Sequence, residues 1–217
     1  MPVPLDTAAW RLGDAPDDWP RSRYSGTALR PGEMAITIVV TWSQLFGHSY
    51  VVLEWFADEL PGPRTSQRRH EVYHLLAEPT EAERAEGITD VGTKPLLSWR
   101  ARQGCVAVHD DPAFFPRKDT DGRARPAYFR SWLVPFADGW RAREAASAAV
   151  AHPPRYNYFE LDGGKNCARW VLDITAQAGI DAGHFLSNVI AVPKRLIRPV
   201  ERIEDEGQMW ERRRRLA

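Results

Sequence analysis

The run Ile36-Thr37-Ile38-Val39-Val40-Thr41 restricts this chain more than any other stretch. Every residue in it is branched at Cβ, which disfavours helix and suits extended backbone. Its apolar side chains fall on both faces, so the strand read over residues 34–42 belongs in the middle of a sheet. A short turn, SQLFG, leads to a second strand over residues 48–56, HSYVVLEWF, closed by a break rich in Pro and Gly at 58–65. His48 therefore opens a strand directly after Gly47, at a sheet edge where a helix end can meet it.

The clearest helix comes much later, within residues 156–180, YNYFELDGGKNCARWVLDITAQAGI. Cys167, Trp170, Val171, Ile174 and Ala178 recur at helical spacing, and Gly179 stands where a left-handed cap is wanted. The polar turn DGGKN precedes them, which places Cys167 in the first helical turn. Free N–H groups and the positive end of the helix dipole favour a thiolate there, and Lys165 and Arg169 add positive charge. The same cysteine would also suit the buried face of an amphipathic helix, where cysteine is common.

Residues 70–79, HEVYHLLAEP, allow two chemistries. As a helix, His70, Glu71 and His74 spell the H-E-x-x-H zinc pattern, with histidines at i and i+4 on the metal and the glutamate as base. As a strand, Val72, Tyr73, Leu75 and Leu76 supply β-compatible bulk, and His70 opens it beside His48. The charged approach Gln67-Arg68-Arg69 and the complete neighbouring strand favour the strand.

The remaining segments frame this core. Residues 1–32 read as an irregular arm with Trp10 and Trp19 as anchors, residues 33–200 as one catalytic domain, and residues 201–217 as a charged tail, expected to be a solvated helix. A short helix is expected within EAERAEG, a strand holding Cys105 at 103–108, a charged loop at 110–126, and a helix at 140–152 ended by Pro153 and Pro154. Residues 128–136 fit either a strand or an aromatic lid, and 185–192 a short strand or turn. Lys plus Arg balance Asp plus Glu at 29 each, so no net field draws the protein to nucleic acid. The four arginines near the end are a candidate dock for an acidic protein partner. Two cysteines fit a reducing compartment, and the N-terminal stretch has no signal-peptide pattern. A cytoplasmic protein is expected, or one exported without a signal peptide, and no transmembrane segment is expected.

G-H-S-Y-V at 47–51 and, far downstream, Y-N-Y followed by N-C-A-R-W-V at 166–171 resemble the permuted branch of the NlpC-like, papain-fold cysteine enzymes, which includes lecithin retinol acyltransferase. In that branch the histidine strand precedes the cysteine helix, as here. The resemblance implies an α+β fold in which an antiparallel sheet packs against a helix carrying the cysteine at its N-terminus. It makes Cys167 the nucleophile and His48 the base, with His70 as the polar group that orients the imidazole and Glu71 as its substitute. Asn166, Glu71 and Ser49 would be substrate-binding or orienting residues. The implied chemistry is acyl transfer through a thioester on a peptide, lipid or other acyl substrate, as an amidase, peptidase or lipase-type hydrolase or as an acyltransferase, with no cofactor. The fold's use in attacking such bonds, with the missing signal, adds the expectation of a bacterial toxin or effector. A zinc hydrolase built on His70, Glu71 and His74, and a non-catalytic interaction module, are the alternatives.

Overall fold

The computed structural model describes residues 3–4, 20–22, 26, 28–42, 47–57, 68–87, 100–109, 127–182 and 201–203. Trp10, Trp19, the break after the second strand, the charged loop at 110–126, the segment at 185–192 and most of the C-terminal tail lie outside these residues.

The β-branched run forms β2 (Glu33–Trp42), an interior strand of an antiparallel sheet whose five longer strands run in the order β6–β2–β3–β4–β5. Its neighbours are β3 (Gly47–Phe56) and β6 (Ala127–Pro135), and beyond β3 come β4 (Arg68–Ala77) and β5 (Gly104–His109). Two short strands, β1 (Val3–Pro4) and β7 (Glu201–Ile203), share the outer edge of β6. The arm and the tail thus each place residues in the sheet, and Glu201–Ile203 is extended where a helix was expected. The penalty for an unpaired sheet edge explains the change, since the backbone groups of Ala127 to Phe129 find partners there. Residues 128–135 are strand rather than lid, because their backbone completes the ladder along β2.

Two longer helices cover one side of the sheet. These are α2 (Phe136–Ala151) and α3 (Cys167–Gln177), while α1 (Glu81–Ala85) is a single exposed turn between β4 and β5. Ala142 and Ala146 of α2, with Trp170, Val171 and Ile174 of α3, bury Ile36, Val51, Leu53 and Leu75 of the sheet. Gly179 takes the left-handed conformation past the end of α3, as its position in the sequence suggested. Among the described residues no helix is long and apolar enough to cross a membrane.

The sheet's other side is more polar. Thr37 hydrogen-bonds to Ser131 at 2.7 Å, and the buried carboxylate of Glu54 accepts the Ser22 hydroxyl at 2.6 Å. Arg68 approaches the same carboxylate at 3.7 Å and donates to the Arg21 carbonyl at 3.1 Å, so the N-terminal arm is tied to this face.

Strand alternation decides the two readings of residues 70–79. Because β4 is a strand, His70 and His74 stand roughly 13 Å apart along it and cannot share one metal ion. Glu71 projects to the helix side instead. There the Arg143 guanidinium of α2 grips it with bonds of 2.7 and 2.8 Å, and the Tyr73 hydroxyl donates to it at 2.6 Å. Arg143 also lies 4.4 Å from the Trp140 ring and 5.6 Å from that of Trp55. The zinc reading of His70, Glu71 and His74 is therefore corrected, and among the described residues no group of three or more His, Cys, Asp or Glu is arranged to hold a metal. Glu71→Ala leaves a half-buried tyrosine hydroxyl and guanidinium without this acceptor. It is expected to lower stability by about 1–3 kcal/mol, read as a lower denaturant midpoint, with Glu71→Gln losing less.

Candidate active site

The turn before α3 is built to fix Cys167. Tyr156 is bridged on one side to Arg102 and on the other to Lys165, making a narrow three-segment ribbon. Within it the Asn157 side chain accepts from the amides of Phe159 and Leu161 at 2.8 and 3.2 Å. Glu160, Asp162 and Gly163 all adopt positive φ to turn the chain back. Gly164 has no room for a side chain, since a Cβ there would fall 2.6 Å from the Asn157 Cβ and 2.9 Å from that of Ala101. The sequence showed this turn as Gly-rich, and the reason is close approach as much as bending.

Asn166 closes the turn. Its side-chain oxygen accepts from the Arg169 amide at 2.8 Å, capping α3, and its nitrogen donates to the Tyr158 carbonyl and to Glu160. It is fully buried, and its bonds fix the helix start that carries Cys167. Lys165 pairs with Asp173 at 2.8 Å and Arg169 with Glu160 at 3.1 Å. Their charge is therefore countered, and the amides at the helix start carry the positive field that the sulfur feels.

Cys167 itself is buried, with 1% of its surface exposed. Its sulfur accepts from the Ser49 amide at 3.4 Å. That amide is open because the β3–β4 ladder ends at the pair Val51 and Tyr73, two residues earlier along the sheet. Burial pushes the thiol up to about 11, against the opposing pull of the Ser49, Ala168 and Cys167 amides and the Ser49 hydroxyl. Ser49 is thus a neighbour of the sulfur through both backbone and side chain. Tyr156 and Tyr158 stand close enough for a thiolate to act on them: burial first, then the charge of Cys167, raises both hydroxyls, Tyr158 to about 12.

His48 stands one residue before that amide and leaves β3 on the other face, beside Tyr50. Its Nε2 lies 2.9 Å from Nδ1 of His74, and the two rings are stacked with centroids 5.2 Å apart. The partner of His48 is thus His74, whereas His70 sits at the far end of the ladder opposite Glu54. The expected role of His70 is corrected for a simple reason: in antiparallel neighbours the start of one strand meets the end of the next. Glu71, the substitute, is committed to Arg143 on the helix side.

His74 is 4% exposed and held well below the usual histidine range, first by burial and then by the nearby His48 and His109. It is a neutral ring able to accept through Nδ1, which fits a proton on Nε2 of His48. The sulfur and the paired imidazoles thus approach the open end of one ladder from opposite faces. No family model, curated protein or solved structure matches this chain.

Proposed function

We propose that this chain is a cysteine-dependent acyl-transfer enzyme with Cys167 as nucleophile, His48 as base and acid, and His74 as the residue that orients His48. The observation that carries the reading is the junction at the end of the β3–β4 ladder, where the Ser49 amide holds the Cys167 sulfur and the preceding residue, His48, is bonded to His74. A capped helix start, a buried sulfur ringed by amides and a tethered imidazole are the parts that thioester chemistry needs.

In this reading the thiol proton passes round the open end of the β3–β4 ladder to His48, whose ring leaves β3 on the face opposite the sulfur, as the sulfur attacks an acyl carbonyl. The carbonyl π electrons move to oxygen, and the amides at the helix start stabilise that oxyanion. Collapse re-forms the carbonyl and expels the leaving group, which receives the proton from His48. Water or another nucleophile then gives its proton to His48 and attacks the thioester, and the sulfur leaves as thiolate and regains the proton. The acyl donor is a peptide, lipid or other ester or amide. His48→Gln is expected to lower turnover by about 10²–10⁴-fold and to suppress labelling by a thiol-directed acylating probe at neutral pH. Equal labelling of the variant and the parent protein would overturn the assignment.

A second reading, a non-catalytic module with an idle site, is favoured by one observation: complete burial holds the thiol protonated, up to about 11. Alkylation kinetics separate the two. An active site gives a rate that is already substantial near pH 7 and falls in His48→Gln. An idle one reacts only as the pH climbs past the ordinary thiol range, identically in both proteins.

A further inference from the structure

His48 and His74 are not alone on their face of the sheet. His109, at the end of β5, sets its ring edge against His74 with centroids 5.4 Å apart and planes at 87°. Three imidazoles therefore stand in a row across β3, β4 and β5, with the most buried one in the middle. No polar contact with a substrate is needed to explain His48 and His74, and the role assigned to them leaves His109 unused.

The row has a physical consequence. The middle ring accepts from His48 only while its Nδ1 carries no proton. A charge on His109 stays in contact with solvent, because that residue is partly exposed, whereas a charge on His74 would be buried. Two cations at this spacing repel, so a proton on His109 opposes a proton on His74. Among the described residues, the other titratable groups that β3, β4 and β5 place on this face are His48, Tyr50 and Glu54 from β3, Cys105 from β5 and Arg68 and His70 along β4. The carboxylate in the set, Glu54, stands opposite His70, four residues along β4 from His74, where it accepts from Ser22 and meets Arg68. Glu54 is thus remote from the middle ring and does not reward its protonation.

We propose that His109 is a positioning residue of the site, a third imidazole that keeps His74 the neutral acceptor holding His48 in place. The inference rests on the acyl-transfer reading for its catalytic consequence, while the state of the row itself is independent of it. Burial and His48 act more strongly on His74 than His109 does, so the effect of His109 is a displacement of the pH dependence and not its origin.

The test compares His109→Gln with His109→Arg. In the first, loss of the opposing charge lets His74 take a proton more easily. The acid limb of the pH–rate profile then moves to higher pH, by roughly half a unit. In the second, a permanent cation moves it to lower pH. A role in packing alone displaces both variants the same way or neither, and that result would overturn the inference. The same pair of shifts is expected in the NMR titration of the His74 ring, measured in the Cys167→Ala background where no turnover is needed. Opposite shifts there with no activity in the parent protein would retain the histidine row and reject the enzyme. Identical His74 titrations in the two variants, with activity present, would retain the enzyme and reject the role of His109.

Discussion

Cys167→Ala is expected to remove turnover and covalent labelling together while the protein stays folded. The fall is on the order of 10³-fold or more, because without the sulfur no thioester forms and only the binding groups remain. The structural cost is small. Alanine fits the first turn of α3, and the change loses one long hydrogen bond from Ser49 and the volume of a sulfur, about 1 kcal/mol. Near-parental denaturant midpoints with no label would support the assignment. Label retained in the variant would place the reactive group elsewhere and end the reading.

The largest stability effect is expected at Trp132, which β6 presents to the helix side. It is 1% exposed, pairs in register with Ile36 and carries the Arg130 guanidinium 4.9 Å from its ring. Trp132→Ala removes the largest fully buried side chain among the described residues and opens a cavity that the surrounding strands cannot close, at a cost of about 3–5 kcal/mol. Domains of this kind have about 5–15 kcal/mol in total, so much of the margin goes. Equilibrium unfolding in urea reads the effect, and a shift under about 1 kcal/mol would show that the sheet repacks.

Much of this architecture was legible in the residues. The β-branched run marked β2 as a strand of the sheet interior, and the 3.6-residue spacing from Cys167 to Ala178 with Gly179 marked α3 and its cap. The position of the sulfur at the helix start followed from the same pattern. The partner of His48 did not follow, although the information was present: once residues 68–77 are a strand and its neighbour is antiparallel, the candidate for a residue at the start of β3 must come from the end of β4, which selects His74 over His70. What no pattern displayed was the end of the β3–β4 ladder. Val51 and Tyr73 look no different from their neighbours, and only the paired backbone shows that the amide at Ser49 is left for the sulfur. Likewise, the positive residues near Cys167 gave a misleading field, because their acidic partners Asp173 and Glu160 come close only when the turn is folded.

The ribbon joining Arg102, Tyr156 and Lys165 bears on time as well as on shape. A sulfur closed off by one side chain would be uncovered by a rotamer flip, within nanoseconds. Here the turn that carries it is fastened by backbone bonds to the lead-in of β5, so displacing that turn requires backbone segments to part. Motions of that kind belong to microseconds and longer, so the turn holds Cys167 in one place while exposed side chains nearby change rotamer many times over.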